Sequence, residues 1–265
     1  MNGDSAFWKR WTVRRSVYGR LVERYIFNFR ISPTALDRHL PVAWLRPQVV
    51  NGFGAVSFCI LKLEGLTLWP LPHILGVDTI SCAYRCGVID ASKANSGPSV
   101  YIVSRNTDLP IISSAGPVLI RNAMPKVHTS ILHKPRFVDI NATCANGDNL
   151  FSAKVRSAKN PDDLDSKIFR SLDDFVKFIH DGSSSYARSI SDESLARVDV
   201  QKDDLNYQAV DATIYNNSIE SEWPDADMIF DSAFRAESGG IYKWTYLGLV
   251  PKHPGQLLQE IEVNR

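Results

Sequence analysis

The clearest pattern in the chain is the strict alternation over Phe137–Cys144, with Val138, Ile140, Ala142 and Cys144 on one face. Asn146-Gly147 supplies a turn and Leu150–Val155 returns, so this stretch predicts a β-hairpin. Shorter runs predict strands at Tyr25–Phe29, Thr79–Ile89, Ser99–Ser104, Tyr207–Tyr215, Met228–Phe234 and Ile241–Tyr246. Val49–Leu63 is a longer β-rich stretch, broken by Gly52 and Gly54 at a bulge or sharp bend. Leu66–Gly76, with Trp69-Pro70-Leu71-Pro72-His73, predicts an apolar loop that either lines a pocket or plugs the end of a barrel. Helix signals are few. Ser32-Pro33 opens a short one that ends at Pro41, and Ser171 caps another that buries Phe175, Phe178 and Ile179 and stops at Gly182. Ser183-Ser184-Ser185-Tyr186 predicts a flexible loop, and Asp192 to Asp204 a surface loop with an edge strand.

Many strands and few helices predict a mainly β, α+β architecture that closes on itself to protect its edges. No repeat or long linker divides the 265 residues, so residues 21–265 are expected to form one domain. Residues 1–20 carry Lys9, Arg10, Arg14, Arg15 and Arg20 among Phe7, Trp8, Trp11, Val13 and Val17. They predict a basic arm or amphipathic helix, packed on its own domain in preference to a membrane surface or another subunit.

Composition narrows the class. Hydrophobic residues make up 44% and charged residues 22%, the values of a soluble globular protein. No apolar run is long enough for a membrane-spanning helix, and the N-terminus lacks the apolar core of a secretion signal. Four cysteines are too few for a disulfide scaffold, so a reduced, cytoplasmic location is expected. Cys82 and Cys86 have neither redox nor zinc-knuckle spacing, and His128 and His133 would face opposite sides of a strand, so no metal site is expected. Residues 1–160 hold 20 Lys and Arg against 9 Asp and Glu, while residues 161–240 hold 7 against 18. The arginines are scattered among apolar strands without an aromatic-basic motif, which argues against nucleic acid and for a surface balanced within the molecule.

One residue stands out chemically. Lys126 follows Pro125 inside an apolar stretch, and a lysine buried there would lose proton affinity and become a nucleophilic amine. The competing reading is a lysine whose stem covers apolar surface while its ammonium stays in water.

Several segments, in order, resemble the acetoacetate decarboxylase superfamily, and most closely a decarboxylase-like branch of unknown function. They are Tyr25–Pro41, the stretch Leu45-Arg46-Pro47-Gln48-Val49-Val50-Asn51-Gly52, Tyr101–His128, and the hairpin at 137–157. The resemblance implies a cone-shaped, mostly antiparallel β-barrel with a small-molecule pocket inside, and association into a homo-oligomer. In those decarboxylases a proline precedes two lysines; the first forms a Schiff base and the second lowers its pKa. Pro125-Lys126 resembles the proline and the first lysine, while Val127 stands where the second would be. That family supplies the standard example of an amine activated by desolvation or a cationic neighbour. Here Arg121 or Arg24 would have to supply the neighbouring charge. The family's carboxylate would lie in Thr79-Ile80-Ser81, where no acid stands, and Asp78 is two residues from Ile80. Arg24, or Arg20, falls near the arginine that holds the substrate carboxylate.

The resemblance therefore implies imine catalysis on a keto acid without any cofactor. Lys126 would be the amine, Arg24 the carboxylate partner, and Tyr84, Arg85 or His128 the proton source, with Arg85, Arg121, His128 and Asp78 around the substrate. The rival expectation is a non-catalytic barrel that binds a small carbonyl or carboxylate compound. A third is a protein acting through its basic N-terminal arm.

Overall fold

The computed structural model describes residues 15–92, 97–158, 164–191, 193–203, 205–237 and 240–252. Most of the basic arm and the two ends of the acidic stretch, Asp192 and Asp204, lie outside the described residues.

Two long strands form the spine: β1 (Ser16–Ile31) and β3 (Gly54–Leu68). Between them lie α1 (Pro33–His39) and the short β2 (Leu45–Pro47). α1 starts as expected, with the Ser32 hydroxyl accepting from the Ala35 amide and proline in the first turn. Residues 16–20 are not the end of an arm but the start of β1. They pair with two neighbours at once, so their backbone is satisfied without a helix. The break expected within Val49–Leu63 is an Asn51-Gly52 turn, both residues at positive φ, and β3 begins only at Gly54.

The chain continues through β4 (Val77–Asp90), β5 (Pro98–Thr107), α2 (Pro110–Leu119), β6 (Val127–Lys134), β7 (Phe137–Cys144) and β8 (Asn149–Ser157). The last two are the expected hairpin, with Ile140 opposite Ala153 and Ala142 opposite Phe151. Then come α3 (Leu172–Asp181), β9 (Ser184–Arg188), β10 (Ser194–Lys202), β11 (Tyr207–Asn217), α4 (Ser218–Glu222), β12 (Ile229–Glu237) and β13 (Ile241–Pro251).

All the strands belong to one sheet, antiparallel except for β5 with β9 and a single parallel bridge from β5 to the start of β6. That sheet splits at β1. The first part of β1 pairs with β13 and the second part with β12. On one side the order β1-β3-β4-β5-β9-β10-β13 returns to β1, a closed ring of seven strands. On the other side β12-β11-β8-β7-β6 runs from β1 back to the end of β5, where Lys126 bridges Thr107. β1, β3, β4 and β5 serve both rings, one with each face.

The two faces are filled differently. One carries Tyr25, Phe27, Phe58, Tyr84, Phe151 and Val127, all buried, with Phe58 and Phe151 stacked at 4.0 Å. Cys82 and Cys86 point into the same packing as free thiols. The other face carries Leu21, Ile26, Cys59, Phe234, Tyr207 and Tyr242, and α3 lies across it. Phe175 of α3 stacks on Phe234 at 3.6 Å, and Phe178 comes so close to Gly87 that an added Cβ there would lie 2.7 Å from its ring.

Two segments depart from the sequence expectation for related reasons. The serine-rich stretch after Gly182 is β9, and the acidic stretch is largely β10, an interior strand between β9 and β13. Their polar side chains are partnered: Ser184 Oγ donates to Asp199 at 2.7 Å, with Arg197 3.6 Å from the same carboxylate. Acid content alone therefore did not mark an edge.

Candidate functional site

The face beneath α3 holds charge that an apolar core would not. Arg24 lies on β1 directly opposite Leu61 of β3, two residues along from Cys59 and on the same face. It is 3% exposed. Its Nε lies 3.2 Å from Cys59 Sγ, and its Nη1 donates to the hydroxyls of Tyr207 at 3.0 Å and Tyr242 at 2.9 Å. Ser57 and Arg85 face each other across β3 and β4, which places Arg85 on this same side. Lys202 ends β10 directly opposite Tyr242 of β13, and its Nζ donates to the carbonyl of Ile179 in the last turn of α3.

These groups tune one another. Burial works against the Arg24 charge, but Cys59, Tyr207 and Tyr242 outweigh it and hold the guanidinium well above its ordinary value. Burial pushes the Cys59 thiol up, yet Arg24, Arg85 and Lys202 reverse this and favour the thiolate. Arg85 is lowered, first by burial and then by Arg24. Lys202 is pushed down to about 7 by burial and by the charges of Arg24 and Arg85, with Cys59 and Asp181 acting the other way. Arg105, also mostly enclosed, is lowered by burial but remains a cation.

Among the described residues no carboxylate forms an ion pair with Arg24, Arg85 or Lys202. Arg85 Nη2 is buried without a hydrogen-bond partner. Arg85 lines a small cleft together with Gln48, Ser57, Gly87, Phe178 and Ile179. The enclosed space is about 20 Å³, room for one water, so a larger ligand requires α3 to move outward. A guanidinium nitrogen buried without a partner beside a second cation is costly unless an acceptor completes it.

The sequence-predicted residues are distributed as follows. Arg24 and Arg85 come together. Arg20, the other candidate near that place, is exposed and pairs with Glu64. Lys126 is exposed, because at the start of β6 it is Val127 that turns inward, 1% exposed, into the aromatic packing. Tyr84 lies on the opposite face of β4 from Arg85, its hydroxyl 2.7 Å from Asn217 Oδ1 and 2.8 Å from the Leu150 carbonyl. Burial raises its pKa. Arg121 and His128 are exposed. Asp78 is exposed as well and accepts from the Gly65 amide at 3.0 Å; the acid that reaches Thr79 and Ile80 is Asp108, at 2.7 and 3.1 Å. His133 bonds Glu23 at 3.0 Å. Cys59, Lys202, Tyr207 and Tyr242 were not anticipated. Lys202 gave no signal, because its stretch reads as acidic surface.

No family model matches the chain, and neither does any curated protein. Solved structures do. An acetoacetate decarboxylase from Legionella pneumophila superposes with a TM-score of 0.61 at 10% identity, over 89% of this chain and 87% of that one. The chain has the acetoacetate decarboxylase-like fold. An acetoacetate decarboxylase-like enzyme from Sphingomonas wittichii RW1 aligns with a TM-score of 0.54 at 13% identity, over 90% and 92% of the two chains. The enduracididine biosynthesis enzyme MppR, in a complex with pyruvate, aligns at 0.53 and 14%, over 91% and 90%. At these identities the decarboxylase-like likeness concerns the path of the backbone, and the side chains are this chain's own.

Proposed function

We infer that this decarboxylase-like barrel takes up a small carboxylate compound, a keto acid above all, on the face that carries Arg24 and Arg85. One observation carries the reading: Arg85 lines a cleft and keeps its Nη2 buried without a partner, beside a second cation and with no ion-paired acid among the described residues. A guanidinium fork matches a carboxylate in shape and charge. MppR, a structure of similar fold, is described in complex with pyruvate, which supports the same ligand class here. Lyase chemistry through Lys126 draws its support from the Pro125-Lys126 resemblance; the exposed position of that side chain favours the interior cluster instead.

Calorimetric titration of the full chain with pyruvate and with acetoacetate tests the reading. Saturable binding is expected, weakened at least about tenfold in Arg85→Met, the loss of one charge-assisted bond. Equal affinity in the variant, or no binding of either acid, overturns it.

A further inference from the structure

The chain between β3 and β4 carries its apolar side chains outward. Ile74 is 89% exposed, Leu75 65%, Trp69 59% and Leu71 46%. None of the four lines the cleft beside Arg85. The backbone of this loop is nevertheless well held. The Trp69 amide donates to the Ser16 carbonyl at 2.9 Å, the Leu71 amide to Leu68 at 2.8 Å and the Gly76 amide to His73 at 2.8 Å. The Tyr18 hydroxyl donates to the Leu71 carbonyl, and the Tyr18 ring packs edge-on against Trp69 and His73. Gly76 lies so close to the Gly65 backbone that no side chain would fit there. The loop is thus fastened to the start of β1 while four large apolar side chains stay in water. A contiguous apolar patch of that kind marks a docking surface.

The rim of the patch is basic. Lys243 Nζ lies 5.0 Å from the centre of the Trp69 ring. Arg15, next to the residue that holds Trp69, donates from Nη1 to the Val118 carbonyl at 2.6 Å, and the Val118 side chain is exposed at the end of α2. Arg121, in the turn after α2, lies with Arg15 beside Tyr246. Among the described residues, none of these three cations forms an ion pair. Two acids near the loop are engaged already, Glu64 by Arg20 and Asp78 by the Gly65 amide. Residues 1–14, which join the barrel at Arg15, combine Lys9, Arg10 and Arg14 with Phe7, Trp8 and Trp11, the same pairing of basic and apolar chemistry.

We propose that this loop docks the protein on an anionic lipid surface. Trp69, Leu71, Ile74 and Leu75 enter the boundary between headgroups and acyl chains, and Arg15, Arg121 and Lys243 meet the headgroups. Tryptophan is one of the two side chains enriched at that boundary. Two copies meeting through the same patch would bring unpaired cations together, whereas an anionic lipid surface supplies the counter-charge. The attachment is peripheral, through one loop.

The test is flotation of the full-length protein with vesicles of phosphatidylcholine alone and of phosphatidylcholine mixed with phosphatidylserine. The wild type is expected on the mixed vesicles, bound at least about tenfold more tightly than on the neutral ones. Ile74→Ser with Leu75→Ser should weaken that binding at least about tenfold, with the denaturant midpoint unchanged because both side chains are already exposed. No binding to either vesicle overturns the proposal, and equal binding to both kinds does so too. Wild-type affinity in the double variant also overturns it, since residues 1–14 would then account for the attachment. A dimer seen by ultracentrifugation that dissociates in the double variant, without vesicle binding, assigns the patch to a second copy and overturns the lipid surface.

Discussion

The two faces of β1, β3 and β4 differ in what they ask of their side chains. On one, Phe27, Phe58, Tyr84 and Phe151 interdigitate, and the Tyr84 hydroxyl that reaches inward is bonded to Asn217 and Leu150. On the other, a residue or two away along the same strands, Arg24, Cys59 and Arg85 meet Lys202 and two tyrosines beneath a single helix. A face that only holds the fold together is filled with matching apolar surface, at native packing density. A face that gathers like charges without a counter-acid is less stable than it could be, and ligand binding is the usual reason to keep it so.

Substitutions that cross this divide should behave in opposite ways. The largest effect is expected on the aromatic side. Phe58→Ala leaves a cavity between Phe27, Tyr84 and Phe151, and should cost about 3–5 kcal/mol in denaturant unfolding. On the charged side, Arg85→Met should leave stability unchanged or raise it by about 1 kcal/mol, because it removes a half-buried cation from beside another. The same variant loses keto acid binding. A marked destabilisation with binding intact would erase the distinction between the faces.

The next effect is one of pH. Below about 7, Lys202 is charged in the folded and unfolded states alike, and the folded state bears the cost of holding it. Between about 7 and the unfolded value of about 10.4, the unfolded chain binds the extra proton, so stability rises with pH through that window. Cys59, held toward the thiolate, acts in the same direction up to the ordinary thiol value. Denaturant midpoints across the window should therefore climb in the wild type and climb less in Lys202→Met. Equal slopes would mean that the amine is not in the environment described.

A smaller change is expected where α3 is anchored. Ser171 Oγ accepts from the Asp174 amide at 3.1 Å, and Ser171→Ala should cost about 1 kcal/mol. Because α3 covers the cleft, that variant should also admit the ligand faster in stopped-flow binding. The smallest effect belongs to Lys126→Ala, within about 0.5 kcal/mol of wild type in unfolding, since the side chain is exposed.

The sequence made the β architecture legible because alternation, Asn-Gly turns and helix caps are local signals. The hairpin of β7 and β8, α1 and α3 follow from such signals. β9 and β10 did not, because Ser184 and Asp199 satisfy each other across strands, and composition cannot register a pairing between distant residues. α2 was missed as well: its run of isoleucine, serine and proline has a helical period but little helical propensity.

The site was half legible. Arg24 was identified as the carboxylate partner and Arg85 as a proton source or substrate contact, but which face each side chain takes depends on register. A one-residue step separates Arg85 from Tyr84 and puts them in different cores. The same step separates Lys126 from Val127. Lys202 is close to the cluster only because β10 and β13 close the ring, a contact across forty residues that no local pattern encodes.

The most direct measurement is the structure of the protein crystallised with pyruvate. The ligand is expected beneath α3, its carboxylate within hydrogen-bond reach of Arg85 Nη2, with Phe178 displaced from Gly87. Pyruvate at Lys126 instead, with Arg85 still unpartnered and α3 seated as before, would contradict that placement.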